Sequence, residues 1–340
     1  MRFAPTFTRS FGALFAGAVL AACGGGGGGG NGAPAPPTPQ ASATPGVQLY
    51  VANDNSITVY PAGATGNVAP ATKISGSNTG LTTPYGVTVN ANGAIFVANA
   101  NANTITVYAA GANGNVAPTA TIGGVDTGLN TPESVALDSS GRIYVANAGL
   151  DGFPSITTYA AGANGDAKPV ATISGNNTIL AFPSSVVLDA SGKMYVTLPS
   201  LGSNGGIAVY AAGANGNAAP VAVITGSSTG LNGPTGLAFD VAGNLYVANY
   251  AHAAGSGQNV TIYAPGPSGN VAPFATIAGA NTGLALPRYV AVDLAGKIYV
   301  SNQLNSITVY AAGASGNAAP IATISGSSTG LSAPTGIAIH

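Results

Sequence analysis

Six times along the chain the same four segments recur: an inner strand, a second reading like Ile-Tyr-Val-Ala-Asn, a third like Ser-Ile-Thr-Val-Tyr and a fourth like Ala-Thr-Ile-Ser-Gly. The second segments occupy residues 49–53, 95–99, 143–147, 194–198, 245–249 and 298–302, so their starts lie 46 to 53 residues apart. A period of that length with several strands in it belongs to propeller blades. The expected fold class is all-β, a six-bladed β-propeller of four-stranded antiparallel blades.

The connections differ in how far they vary. The prolines opening the inner strands, Pro84, Pro132, Pro183, Pro234, Pro287 and Pro334, are followed 12 residues later by an aromatic in all five complete repeats. From the tyrosines ending the third strands (Tyr60, Tyr108, Tyr159, Tyr210, Tyr263 and Tyr310) to the next proline is always 10 residues, and from there to the next opening proline always 14. Length changes only between second and third strands, where the loops hold 2, 4, 7, 7, 9 and 3 residues. In an up-and-down blade these loops share a face with the crossings to the next blade. Insertions gathered on one face of a repeat protein often mark its binding surface.

The ends of the repeat region complement each other. It starts on a second strand, residues 47–53, and finishes on a first strand, residues 336–339. Pairing the C-terminal strand with the N-terminal hairpin is therefore expected to complete one blade and remove an open sheet edge. The chain divides into residues 1–22, 23–46 and a propeller at 47–340.

Val, Ile, Thr and Tyr fill the predicted strands, while Gly, Asn, Asp, Ser and Pro collect between them, as antiparallel sheet requires. The first hairpin turn carries Asn90, Asp138, Asp189, Asp240 or Asp293 three residues before a glycine. An Asx side chain capping the turn and a glycine at positive φ give these aspartates a structural use. Charged residues make up only 5% of the chain and there is no Trp, which suits sheets buried on both faces.

The N-terminus reads as an address. Arg2 and Arg9 precede an apolar run at residues 11–22, which ends in Leu20-Ala21-Ala22-Cys23 with the single cysteine of the chain. This is a secretory signal pattern. Its last four residues resemble the bacterial lipobox, a resemblance that implies cleavage before Cys23 and lipidation of its sulfur. Twelve apolar residues are too few to span a bilayer, which takes about 20, so the membrane is expected to be reached through lipid. Gly24 follows the cysteine, a pattern that looks like an outer-membrane destination in the bacterial cell envelope. Gly24 to Gly30 and the Pro- and Ala-rich sequence after them form a tether. One cysteine allows no internal disulfide. Loss of Arg2 and Arg9 leaves six basic against nine acidic residues, a balance that argues against nucleic acid as partner.

The blades resemble NHL-type repeats, whose unit runs Pro-x-Gly-hydrophobic-Ala-Val-Asp, two residues, Gly, then Ile-Tyr-Val-Ala-Asp and a third strand ending in an aromatic. Residues 234–249, Pro-Thr-Gly-Leu-Ala-Phe-Asp-Val-Ala-Gly-Asn-Leu-Tyr-Val-Ala-Asn, follow that order closely. The resemblance covers residues 47–340 and implies a closed propeller. The family's acidic residue after the second strand is Asn here, and its basic residue opening the third strand is absent. Six-bladed propellers of related appearance include divalent-metal-dependent lactonases and lyases, whose channels collect several His or carboxylate ligands. This chain offers His252, His340 and one glutamate, Glu133. No catalytic residue, metal ligand set or cofactor is assigned from the sequence.

Two groups of residues are candidates for binding. Immediately after the opening prolines come Tyr85, Glu133, Ser184, Thr235, Arg288 and Thr335, and repeat order sets Glu133 and Arg288 three blades apart, facing each other across the channel mouth. The long loops carry Asp151, Phe153, Leu201, Tyr250, His252 and Gln258. A third series, Asn53, Asn99, Asn147, Asn249 and Asn302, ends the second strands. It is read as satisfying loop backbone locally rather than reaching a ligand. The leading expectation is a non-enzymatic, lipid-anchored envelope propeller that binds a partner protein or glycan on its long-loop face. A metal-dependent lyase or lactonase at the channel and a purely structural surface protein are the alternatives.

Overall fold

The computed structural model describes residues 47–251 and 257–340; Cys23, the tether and His252 lie outside them. It is a ring of six four-stranded antiparallel sheets. Blade 2 runs Pro84–Val89, Ile95–Asn99, Thr104–Tyr108 and Ala120–Ile122 from the channel outward, and blades 3 to 6 repeat it with inner strands Pro132–Leu137, Val186–Leu188, Pro234–Phe239 and Pro287–Val292. Blade 1 takes Gln48–Asn53, Ser56–Pro61 and Thr72–Ile74 from the start of the repeat region and Ile337–Ile339 from its end.

Ring closure follows the expected pairing. Leu49, Tyr50 and Val51 lie opposite Ile339, Ala338 and Ile337, and Gln48 and His340 exchange backbone hydrogen bonds on either side. Val47 and Gly336 fall just outside the two strands, one residue short of the expected bounds. Between blades, the outermost strand of each meets the next through a parallel bridge. Ile74 pairs with Gly114 and so on around the ring to Ile324 with Gly66, where blade 6 returns to blade 1.

The core lies in the layers between blades. Leu49 and Val51 of blade 1, for example, pack with Tyr289, Tyr299 and Ile307 of blade 6 and with Ile337. The six tyrosines that end the third strands are fully buried. Each hydroxyl donates to a threonine carbonyl in the crossing that enters its own blade: Tyr108 to Thr79, Tyr159 to Thr127, Tyr310 to Thr282, and likewise Tyr60, Tyr210 and Tyr263. The fixed spacings of the sequence come from this clasp. A buried phenol keeps its hydrogen bond only if the crossing arrives at one height.

The turn carboxylates do what their position predicted. Asp138, Asp189, Asp240 and Asp293 each accept backbone N–H groups two and four residues on. One crossing departs from the rest. Gly80, Gly128, Gly230, Gly283 and Gly330 take φ near 70°, whereas blade 4 places Ile179 there at φ 56°. A β-branched side chain in the left-handed region carries strain of about 1–3 kcal/mol.

Candidate functional site

The mouth of the channel on the long-loop face is built by the first residues of the inner strands. Pro84 pairs with Asn99, and Pro287 with Asn302, so the residue after each proline sits where the second strand ends and the variable loop begins. Tyr85, Glu133 and Arg288 reach this level from blades 2, 3 and 6, all half-buried. Tyr250, just past the second strand of blade 5, and Gln303, just past that of blade 6, join them.

Arg288 organises the group. One terminal nitrogen donates to the Tyr85 hydroxyl at 2.7 Å and the other to Gln303 Oε1 at 3.3 Å. The guanidinium lies 4.2 Å from the Tyr250 ring centre and 5.7 Å from that of Tyr85, within cation–π range. The Tyr250 hydroxyl donates to the same Gln303 oxygen at 2.7 Å. Arg288 Nε is buried and has no hydrogen-bond partner.

Glu133 faces this cluster and forms no ion pair with it. Among the described residues the single ion pair within 4.0 Å is Lys168 with Asp126, at the surface. Burial pushes the Glu133 carboxyl up to about 7, while a hydrogen bond from Ser184 and the Arg288 charge pull the other way. Burial, and the neighbouring Glu133 charge after it, also push the Tyr85 hydroxyl up to about 12.

Below this layer the channel is closed. Tyr289 leaves blade 6 and sets its hydroxyl 2.9 Å from the backbone oxygens of both Glu133 and Ser184, on blades 3 and 4 opposite. Its counterparts in the other blades are Gly86, Ser134, Ser185, Gly236 and Gly336. They are small because the inner strands nearly touch here: a Cβ on Gly236 would stand 2.4 Å from Tyr289 Cα, and one on Gly336 2.4 Å from the Tyr85 carbonyl. On the far side of Tyr289 the channel continues as a cavity of about 340 Å³ lined by residues of all six inner strands. The mouth is thus floored by Tyr289.

The loop candidates separate into different places. Tyr250 belongs to the mouth. Leu201, half-buried, packs against the core between blades 3 and 4, and Gln258, also half-buried, accepts the backbone N–H of Leu286. Asp151 accepts a hydrogen bond from the Asn130 side chain at 2.5 Å, and Phe153 beside it is 75% exposed. His252 lies outside the described residues. Among those residues, no group of three or more His, Cys, Asp or Glu side chains is placed to hold a metal ion.

The asparagine series is fully buried. Each amide nitrogen donates to a third-strand threonine, Thr58, Thr106, Thr157, Thr261 or Thr308. Each amide oxygen accepts an N–H from the incoming crossing. This is the local satisfaction expected from the sequence. Tyr289 and Gln303 were not among the sequence candidates. The signal for Tyr289 is present in the repeats, as the one large side chain in a row of Gly and Ser, whereas Gln303 carries no mark until the loops are in place.

No protein-family model and no curated protein matches this sequence. Solved structures do. A chain in the crystal structure of a nidogen/laminin complex superposes with a TM-score of 0.61 at 18% identity, covering 86% of this chain and 98% of its own length. A protein of unknown function from Bacteroides caccae gives 0.61 at 10% identity with the same coverage. A functionally unknown protein from Desulfotomaculum acetoxidans gives 0.50 at 12%, over 78% of this chain and 75% of that one. The likeness is one of fold. At these identities it carries no activity across.

Proposed function

We propose that the protein is a non-enzymatic binding module of the bacterial envelope, an NHL-like propeller held to the membrane by lipid on Cys23, which engages a partner protein or glycan with its long-loop face. One observation carries this reading. The half-exposed side chains that differ most from blade to blade, Tyr85, Glu133, Tyr250, Arg288 and Gln303, converge on the face where loop length varies. Beneath them Tyr289 blocks the channel, so this face offers a surface to bind against rather than a way through. Arg288, bonded to Tyr85 and Gln303 and stacked on Tyr250, and the half-buried Glu133, which forms no ion pair with it, give this face the mixed polar and aromatic character of a binding surface. The nidogen/laminin structure is a likeness to a propeller found in a protein complex, which agrees with a binding role.

The test uses the full chain carrying Cys23→Ser, so that no lipid contributes, against immobilised envelope fractions. Saturable retention that weakens at least tenfold in a Tyr250→Ala/Arg288→Ala double variant is the expected outcome. Absence of saturable retention, or equal retention by the double variant, overturns the reading.

A further inference from the structure

On the long-loop face, a cleft of about 850 Å³ opens over the end of blade 3, between the crossings that enter and leave it. Its volume falls within the range of about 300–1,000 Å³ usual for small-ligand sites. The lining comes from three segments that meet nowhere in sequence: the crossing into blade 3 at Leu129 and Asn130, the loop of blade 3 at Phe153 and Pro154, and the crossing into blade 4 at Asn176 to Leu180. None of the lining residues carries a charge. Phe153 is 75% exposed, and amides and hydroxyls of Asn130, Ser174 and Asn176 supply neutral donors and acceptors around it.

Two features of the cleft are particular to it rather than to the repeat. Phe153 stands in an insertion that blades 1, 2 and 6 lack at this length. Ile179 occupies the left-handed position that the other five blades give to glycine, and its branched side chain packs against the core between blades 3 and 4 while also lining the cleft. Strain kept at one repeat of six, at the position that shapes a cavity, points to use of that cavity. Asp151 meanwhile holds the Asn130 amide nitrogen at 2.5 Å, which fixes the orientation of the amide beside the ring.

We infer that this cleft is a binding site for a short neutral saccharide. An exposed aromatic face for the C–H surface of a sugar, with uncharged amides and hydroxyls for its hydroxyl groups and no charged residue in the lining, is the chemistry such a ligand requires. The inference rests on the reading of the long-loop face as the binding face, and it names the ligand class.

The experiment titrates the full chain carrying Cys23→Ser with maltotriose, cellotriose and tri-N-acetylchitotriose, followed by calorimetry and by ligand-observed NMR. At least one trisaccharide binds with Kd below about 10 mM. Phe153→Ala weakens it at least tenfold, Phe153→Trp retains it, Ile179→Gly weakens it, and Leu294→Ala, in an exposed turn on the opposite face, leaves it unchanged. No binding by any of the three, or binding indifferent to both Phe153→Ala and Ile179→Gly, overturns the site. If the trisaccharides fail while envelope fractions still retain the protein, only this inference falls. If a trisaccharide binds at Phe153 while envelope fractions do not retain the protein, the saccharide site stands and the envelope-binding reading falls.

Discussion

In the unfolded chain Glu133 gives up its proton near pH 4.3; in the folded ring burial holds that proton to about pH 7. Between those values the folded state binds a proton that the unfolded state has lost, so stability falls as pH rises through the window. Below it the buried acid is neutral in both states and costs nothing, and above it the full penalty applies, on the order of 3 kcal/mol. Glu133→Gln removes the charge without the side chain. Urea unfolding is expected to find the variant equal to the parent at pH 4 and more stable by about 1–3 kcal/mol at pH 8. Parallel stability profiles for the two proteins would mean that the carboxyl is not held in this way. Residues of this kind were only partly legible in the sequence. The constant spacing after each opening proline named Tyr85, Glu133 and Arg288 as one row, because six copies of a strand can be aligned without a structure. It could not show that Arg288 is clasped by Gln303 and Tyr250, since those contacts depend on how two loops of unequal length come to rest.

Strands were more legible than side chains, and for a physical reason. Strand bounds at Ile95–Asn99, Ile143–Asn147, Met194–Leu198, Leu245–Asn249 and Ile298–Asn302 coincide with the sequence reading, because turn residues and the buried tyrosine clasp both fix length. The cleft over the end of blade 3 was not foreseen, since its walls come from three separated segments. What the repeats left unstated is how closely inner strands approach at the channel neck. A Cβ on Gly236 would lie 2.4 Å from Tyr289 Cα and 2.7 Å from the Arg288 carbonyl oxygen, backbone atoms that cannot swing aside. Gly236→Ala is therefore expected to destabilise the ring by about 2–4 kcal/mol and to displace the Tyr289 and Arg288 side chains together. Thermal melting reads the first effect. Tyrosine fluorescence read against a Tyr289→Phe reference reads the second, and an unperturbed melt would place the blades further apart than described.

For the whole molecule, closure is the step on which every blade depends. Few charges stabilise this ring, and cohesion comes from interblade layers that are complete only when the last strand arrives. Ile337 is 6% exposed and packs with Leu49, Val51 and Tyr289 across the junction of blades 1 and 6. Burial of Ile337 contributes about 1.5–3 kcal/mol and that of the half-buried Ile339 less, before the backbone ladder to residues 49–51 is counted. Deleting residues 332–340 removes that strand and uncovers the second strand of blade 1 as a free edge, with its N–H and C=O groups open to another chain. It also takes away Ser332 and Thr335, which bond to Asn53 and to the Ala52 carbonyl. The expected result is a melting temperature lower by about 10 °C or more and association into multimers by light scattering after size exclusion. Adding the missing segment as a separate peptide should reverse both, because the gap it fills is a specific register between Ile337, Ala338, Ile339 and Val51, Tyr50, Leu49. A truncated chain that stays monomeric with unchanged melting would mean that the ring is held by its five complete blades and the interblade bridges alone.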